Sequence, residues 1–323
     1  MEDQRSEAGA FYGKPARNMV GYGSATPDPQ WPGGAKLAVQ MVINYEEGAE
    51  SCILHPGDTH SEHLLSEIVG AAPKEGVRCP NMESMYEYGS RAGFWRLHRL
   101  FTTKGMPVTV YACGMALERN PAAAKAMVDA GWEVASHGYR WIDYQHVDEN
   151  TEREHIRKTV EITERVCGTR PLGLYQGKPN VNTRRLIVEE GGFLYDSDAY
   201  NDDLPYWNTE HGRAHLVIPY TLDVNDMRFA TAQGFNSGDQ FFAYLRDTLD
   251  FLLEEGRQGS PKMMSIGLHC RLVGRPGRAA ALSKFLDYLA SKGDDVWVCK
   301  RVDIARHWHA THPPPTVSSV SNL

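Results

Sequence analysis

The chain has 323 residues, of which 41% are hydrophobic and 23% are charged, a balance typical of globular proteins with a large core. Lys and Arg number 34 against 41 Asp and Glu, so the net charge is −7. This charge argues against a nucleic-acid binder, which presents a basic surface. No apolar stretch approaches the roughly 20 residues that span a bilayer, and no secretory signal peptide is visible at the polar N-terminus. We therefore expect a cytoplasmic protein without a membrane partner, with secretion left open.

Composition divides the chain into three parts. Residues 1–30 are rich in Gly, Pro and polar residues and are predicted to form an N-terminal arm. Residues 31–310 are predicted to form a single catalytic domain. The Pro- and Ser-rich residues 311–323 are predicted to form a disordered tail.

Short apolar runs alternate with helix-like stretches through the central part. The runs are Leu37–Ile43, Val108–Cys113, Trp132–Ala135, Pro171–Tyr175, Gly192–Tyr195, Leu216–Pro219, Met263–Leu268 and Val296–Val298. The helix-like stretches are Arg91–Thr103, Pro121–Ala130, Thr151–Val166, Asn182–Glu190, Asp239–Glu254 and Arg278–Ser291. Predicted caps are Asn120, Thr151 with Glu154 as a capping box, and Asp239. About seven strand–helix units without a nucleotide-binding fingerprint predict an α/β fold of parallel strands, closer to a barrel than to an open sheet.

Polar residues follow five of these apolar runs directly. In a parallel barrel the carboxyl ends of the strands meet at one mouth, where active sites form. The candidates that follow the runs are Tyr45, Glu46, Glu47, His137, Tyr139, Arg140, Trp141, Lys178, Asp198, His269 and Arg271, and Tyr175 is the last residue of its run. Carboxylates, histidines and basic residues at separate strand ends are typical of a hydrolytic site.

The chemical types of these residues suggest roles in hydrolysis. Glu46 or Glu47 is the candidate base, and neighbours on an extended strand point to opposite sides, so one of them is expected to face the cavity. Aromatic residues at the mouth, Tyr45, Tyr139 and Trp141, would desolvate the base and raise its pKa. His137 and His269 are candidates for the proton donor or for oxyanion stabilisation.

Further candidates complete the predicted site. Arg140, Lys178 and Arg271 would supply positive charge, and Tyr175 is placed among the substrate contacts. Asp198 would orient a histidine or bind an N–H group of the substrate. Two histidine groups, His55, His60 and His63 in a long loop and His307 and His309 near the C-terminus, are interpreted as structural rather than as metal sites. The six cysteines form no CxxC pair and are interpreted as reduced structural thiols.

The strand-end motifs resemble those of the NodB-type polysaccharide deacetylases across roughly residues 18–310. The resemblance is closest to their metal-independent allantoinase branch. It rests on the blocks NYEEGAE, MESMYEYGSRAGFWR, SHGYRWIDYQ, NTRRL, GGFLYDSD, DDLPYW, IPYTLDVNDMRF and GLHCRLVGRPGR. The resemblance implies a distorted (β/α)7 barrel, hydrolysis of an amide C–N bond, a role in purine catabolism and a homotetramer.

This chain departs from typical deacetylases at two motifs. Glu46-Glu47 replaces an Asp-Asp pair, and Trp141 stands where a second metal-binding histidine would be, so only His137 remains of that pair. Loss of one of three protein ligands weakens a catalytic zinc site. We therefore expect no cofactor and no metal, with zinc held through water or a displaced carboxylate left open. The chain also departs from the allantoinase branch, because Gln176-Gly177-Lys178 stands where Thr-Gly-Arg is usual.

Three functions remain open from the sequence. The first is hydrolysis of allantoin to allantoate, with a small-molecule ureide as the partner. The second is N-deacetylation of chitin oligosaccharides or a related amino sugar, which would need a longer open groove lined by aromatic side chains. The third is a non-catalytic member that only binds a small molecule or sugar.

Overall fold

A computed structural model of the protein describes residues 17–63 and 72–317. The predicted N-terminal arm is therefore described only from residue 17, and residues 318–323 of the predicted tail lie outside the described residues. Within the arm, the Tyr22 hydroxyl donates to the Pro205 carbonyl at 2.7 Å, and the Pro29 carbonyl hydrogen-bonds to His307. The end of the predicted arm thus packs against the domain that follows it.

The strands of the described residues form one large sheet and a small hairpin. They are β1 (Leu37–Tyr45), β2 (His60–Ser61), β3 (Lys74–Glu75), β4 (Val108–Ala112), β5 (Glu133–Ser136), β6 (Gly173–Leu174), β7 (Tyr195–Asp196), β8 (Tyr206–Asn208), β9 (His215–Val217), β10 (Lys262–His269) and β11 (Val296–Val298). Seven strands are parallel in the order β10-β1-β4-β5-β6-β7-β9. Off this order, β11 pairs parallel with the first part of β1, and β8 runs antiparallel to β9 at one edge, whereas β2 and β3 form the hairpin.

This sheet curls into a barrel that stays open between β9 and β10. Paired hydrogen bonds between Thr221 and Ser265 bridge the opening. The predicted distorted (β/α) barrel is therefore confirmed, with seven parallel strands in its main order and β11 beside β1, each within or overlapping a predicted apolar run. Alternation along β1 sends Val39 and Met41 toward the helices and Ala38 and Val42 toward the barrel interior, as the period of two requires.

The helices cover the outer face of the sheet. They are α1 (Pro80–Tyr88), α2 (Phe94–Thr103), α3 (Gly114–Arg119), α4 (Pro121–Asp129), α5 (Glu149–Cys167), α6 (Thr183–Glu190), α7 (Gly238–Arg257), α8 (Pro276–Ala290) and α9 (Arg301–Thr311). A π-helical segment, Gly89–Gly93, joins α1 to α2. No helix in these described ranges is long and apolar enough to cross a membrane.

Of the three predicted helix caps, two are wrong and one is confirmed. Asp148, not Thr151, caps α5, because its carboxylate accepts the Thr151 backbone N–H at 3.1 Å. Ser237, not Asp239, caps α7 through the Gln240 N–H. Asn120 caps α4 as predicted. Asp and Ser are strong N-caps, and the apolar periodicity that guided the prediction begins after them.

Candidate active site

Three strand ends bring a carboxylate and two histidines together inside the barrel mouth. Glu46 follows β1 on its interior face, His137 follows β5, and His269 ends β10. Parallel pairing of Asn44 with His269 brings the ends of β1 and β10 level. Glu46 Oε1 lies 3.2 Å from His137 Nε2 and 3.3 Å from His269 Nε2. The interior-facing candidate of the Glu46-Glu47 pair is therefore Glu46.

Glu47 lies beside this group rather than within it. Its Oε2 accepts the backbone N–H of Glu46 at 3.0 Å, and its Oε1 lies 3.8 Å from Arg271 without a hydrogen-bond partner. The carboxylate packs against Gly89, where a Cβ would overlap it. The π-helical segment between α1 and α2 thus leaves room for Glu47 by means of a glycine.

Arg271 supplies the counter-charge for the two carboxylates. Its guanidinium is fully buried, lies 2.6 Å from Glu46 Oε2, and stacks 4.4 Å from the ring centroid of Tyr86. Paired buried charges of this kind are costly to separate, because each loses hydration that only its partner replaces. Arg271 therefore fixes Glu46 in its ionised form.

The two carboxylates have opposite protonation behaviour. Burial would raise the pKa of Glu46, but Arg271, His269 and His137 outweigh burial and hold the pKa well below its usual range. Burial raises the pKa of Glu47 to about 7, against the opposing effect of Arg271 and with support from the charge of Glu46. Near neutral pH, Glu46 is thus a fixed anion and Glu47 is close to its titration point, so the expectation of a raised pKa is wrong for Glu46 and holds for Glu47.

His269 is held in its charged form by two carboxylates. Its Nδ1 donates to Asp226 Oδ1 at 2.7 Å while its Nε2 faces Glu46. Burial alone would lower the pKa of His269, but Glu46 and Asp226 outweigh burial and raise the pKa to about 9. Asp226 also accepts the backbone N–H groups of His269 and Val273, so it is rigidly placed.

Asp226 was missed by the sequence interpretation, although it lies within the block IPYTLDVNDMRF. It lies on a short 3-10 helix, Asp226–Ala230, well past the end of β9. A search limited to residues that directly follow the strands therefore does not find it. The only available signal was an acidic residue in a matched block that also contains Asp223. The sequence does not distinguish between these two aspartates.

Replacing Asp226 is expected to weaken the proton donor without removing it. In Asp226→Asn the pKa of His269 falls, because one of its two carboxylate partners is lost. Turnover should fall by about 10²-fold, the lower end of general-acid contributions. Titration of the His269 ring by NMR and the alkaline limb of the pH–rate profile should move together to lower pH. A matched Asp223→Asn variant should leave both unchanged, since Asp223 contacts the exposed Tyr244.

Aromatic side chains close over His137. Its ring stacks on Tyr175 at 5.1 Å and lies 4.7 Å from the Trp141 ring. Its Nδ1 faces the Tyr175 carbonyl, which only accepts, so Nδ1 carries a hydrogen. Lys178 Nζ lies 4.7 Å from the Trp141 ring centroid, at the half-buried rim. Trp141, Tyr175 and Lys178 therefore lie together beside the reacting groups.

Asp198 shapes the loop that carries Lys178. Its two carboxylate oxygens accept the backbone N–H groups of Gln176 and Gly177, each at 2.8 Å. Burial raises the pKa of Asp198 to about 7, and the charge of Asp196 adds to this effect. Gly177 has φ +78°, and a Cβ there would press on Trp141, so the loop depends on glycine at this point.

The structure places three predicted site residues away from the Glu46 cluster. Tyr139 packs against His155 at 5.1 Å and under Lys158. Arg140 braces the loop after β1, where it donates to the Ala49 and Glu50 carbonyls and to Asp58 at 2.6 Å. Tyr45 faces the outer core, with its hydroxyl 3.2 Å from Ser90.

The histidine and cysteine groups outside the site have structural partners. His55 lies between Arg140 and Arg119, and His307 hydrogen-bonds to the Pro29 carbonyl. His309 packs edge-on against Trp207. All six cysteines are buried with free thiols, as the prediction of structural thiols requires.

The donor set does not fit a catalytic zinc ion. Within residues 17–63 and 72–317, no group of three or more His, Cys, Asp or Glu side chains is arranged to hold a metal. Trp141 offers an indole where a third ligand is needed. The Glu46 carboxylate already lies 2.6 Å from the Arg271 cation, which would repel a metal ion.

The sequence and the fold of this chain are similar to those of known proteins. The profile of the polysaccharide deacetylase family matches residues 74–186. A Schizosaccharomyces pombe protein named "Putative polysaccharide deacetylase" is 43% identical over 314 residues, which are 92% of this chain and 98% of that protein. The crystal structure of a probable polysaccharide deacetylase from Pseudomonas aeruginosa PAO1 is 57% identical, with TM-score 0.89, and covers 93% of this chain and 100% of that one. The crystal structure of PuuE allantoinase is also 57% identical, with a TM-score of 0.90. The match covers 94% of this chain and 100% of that chain.

Proposed function

Because this chain belongs to the polysaccharide deacetylase family, we propose that it hydrolyses the amide C–N bond of a small cyclic ureide, with allantoin as the best candidate substrate and allantoate as the product. The two crystal structures with 57% identity carry different names, so similarity alone does not choose between a ureide and a sugar polymer. The shape of the site supports the choice of a ureide.

The observation that carries this proposal is the burial of the reacting groups. Glu46 and His137 have no exposed surface, and Glu47 and His269 are each 3% exposed. Trp141 and Tyr175 close the mouth with their rings packed on His137 instead of presenting flat faces to solvent. A polymer chain needs an open groove, whereas a small ring needs only a brief opening of this cover. Burial therefore favours the small substrate.

The roles follow from the contacts. Glu46 faces the interior and accepts the proton of the attacking water, so that hydroxide adds to the amide carbon. Arg271 and His137 stabilise the oxyanion of the tetrahedral intermediate. His269, charged between Asp226 and Glu46, donates its proton to the leaving nitrogen. Lys178 and Trp141 at the rim contact the substrate, and the reaction requires no metal.

The pH–rate profile should be bell-shaped, with limbs near the pKa values of Glu47 and His269. As pH rises through about 7, Glu47 ionises, and its negative charge strengthens the neighbouring Glu46 as a base. As pH rises through about 9, His269 loses the proton that the leaving nitrogen needs, and turnover falls. In Glu47→Gln the acidic limb should disappear while the alkaline limb stays. Complete loss of turnover in Glu47→Gln would show instead that Glu47 is the base.

The decisive experiment measures turnover of purified protein after dialysis against a chelator. Allantoin and chitin oligosaccharides are offered separately, and ring opening and acetate release are measured. Ring opening of allantoin without added metal would support the proposal. Inert allantoin together with acetate release would favour the second candidate, and a requirement for added zinc would overturn the metal-independent mechanism.

N-deacetylation of a chitin-type amino sugar is the second candidate function. It is favoured by the family itself and by the Pseudomonas structure of equal identity. The same base and proton donor would serve it, since an acetamide is also an amide. Exposed Tyr200, whose hydroxyl lies 2.7 Å from that of Tyr175, is an aromatic side chain near the mouth on which a sugar ring would stack.

A further inference from the structure

A cavity of about 490 Å³ shares Arg271 with the candidate active site. Its lining includes Phe229, Gly238, Arg271, Arg275, Gly277 and Arg278. Three are arginines, and none is acidic. We propose that this cavity is a carboxylate-binding site that takes the acid product of amide hydrolysis from the neighbouring centre. The inference rests on the proposed function only in that the reaction yields a carboxylate.

Two of the arginines are charged groups without an acidic partner. The Arg275 guanidinium lies 3.5 Å from the Tyr88 ring centroid, and that of Arg278 lies 4.4 Å from the Phe229 ring centroid. Neither forms an ion pair with a carboxylate in the described part of the chain. Aromatic faces position a guanidinium but leave its charge and most of its N–H donors available. Asp226, the acidic group near Arg278, already accepts three N–H groups.

The third arginine is buried and incompletely satisfied. Arg271 is 1% exposed, and its Nε has no hydrogen-bond acceptor. Its pairing with Glu46 uses the far end of the guanidinium, at 2.6 Å. A buried N–H without a partner is costly, so an anion in this cavity would remove that cost.

Two helix starts add to the positive potential. The α7 and α8 helices begin side by side, and a Cβ on Gly238 would lie 3.1 Å from the Gly277 carbonyl oxygen. No side chain caps the start of α8. Helix N-termini carry partial positive charge and free N–H groups, which bind carboxylates. The three arginine side chains and the two helix N-termini therefore contribute positive potential to the same cavity.

Amide hydrolysis at the neighbouring candidate active site produces a carboxylate, which is the type of ligand that the arginine-lined cavity would bind. Hydrolysis breaks the amide C–N bond, forms a C–O bond from water and gives the nitrogen a proton, and the resulting acid ionises. The carboxylate forms beside the anion of Glu46, which repels it. Arginines bind carboxylates through paired hydrogen bonds, so the cavity lined by Arg271, Arg275 and Arg278 offers the product a stable position. This holds for a ureide and for an acetamide alike.

Calorimetric titration of the resting protein with sodium acetate, and separately with allantoate, tests the site without turnover. We expect both anions to bind the unmodified chain. The double variant Arg275→Gln/Arg278→Gln should bind them at least about tenfold more weakly, roughly 1.4 kcal/mol. The control Arg246→Gln, which removes an equal charge from the exposed face of α7, should bind normally. Equal affinity in the double variant, or no binding to the unmodified chain, would overturn the proposal.

A second pair of variants avoids the arginines. A Cβ built on Gly277 meets nothing within 4 Å, and an acidic residue suits the first turn of a helix, so Gly277→Asp should fold. Its carboxylate should abolish acetate binding, whereas Gly277→Asn should retain it. Similar binding in both would contradict an electrostatic site. If acetate binds as expected but allantoin is not hydrolysed, the assigned substrate fails and the carboxylate site stands.

Discussion

Glu46→Gln is expected to lower kcat by about 10³-fold or more while leaving the protein folded. General-base catalysis contributes roughly 10²- to 10⁴-fold, and Glu46 also holds the two histidines in place. Its Oε1 lies 3.2 Å from His137 and 3.3 Å from His269, so the amide of glutamine fills the same space but cannot accept a proton from water. Single-turnover kinetics with allantoin separate this chemical step from substrate binding.

The control for this variant is its neighbour. Glu47→Gln carries the same chemical change one residue along, but outside the group formed by Glu46, His137 and His269. Its neutral side chain mimics protonated Glu47, so turnover should stay at the lower rate of the acidic side of the profile and show no limb near pH 7, a far smaller loss than in Glu46→Gln. Thermal unfolding of both variants shows whether loss of activity reflects loss of structure. Near-normal turnover by Glu46→Gln would remove Glu46 from the role of base.

Much of the fold can be predicted from the sequence because most strands and helices carry a recognisable apolar pattern of their own. Apolar runs such as β1 and β10 are buried on both faces, and this produces the continuous runs from which the strands were predicted. Three helices were not predicted: α1, α3 and α9. The α3 helix is only six residues long, and α9 lies beyond the last apolar strand and mixes charged residues with Trp308 and other buried side chains. Tertiary packing, more than an apolar periodicity in the sequence, determines which faces of these three helices are buried.

The site was only partly predictable, for a geometric reason. Parallel strands end at one edge, so Glu46, His137 and His269 converge wherever the sheet curls. Residues one or two positions further along a loop have no such constraint. Arg140, expected at the substrate, instead braces the loop at Asp58, and Asp226 reaches His269 from a turn beyond β9. Strand position predicts the reacting groups, and the loops decide which residues support them.

Arg271→Met is expected to destabilise the protein by about 3–5 kcal/mol, because removal of one partner leaves buried carboxylates without a counter-charge. Arg271 lies 2.6 Å from Glu46 and 3.8 Å from Glu47, and all three side chains are buried. Chemical denaturation measures this loss. Arg246→Met, on the exposed face of α7, should change the free energy of unfolding by no more than about 0.5 kcal/mol.

The loss should grow as pH rises. A carboxylate whose pKa in the folded protein is above its unfolded value binds more protons when folded, so stability falls as pH rises from the unfolded pKa through the folded one. Glu47 already behaves in this way, between its ordinary pKa of 4.5 and its pKa of about 7 in the folded protein. Without Arg271 the pKa values of both Glu46 and Glu47 rise, so the deficit should be larger at pH 8 than at pH 5. Glu46→Gln in the Arg271→Met background should recover part of the stability at pH 8, since one buried charge is removed. A deficit independent of pH would mean that Arg271 stabilises the fold through its packing on Tyr86 rather than through charge.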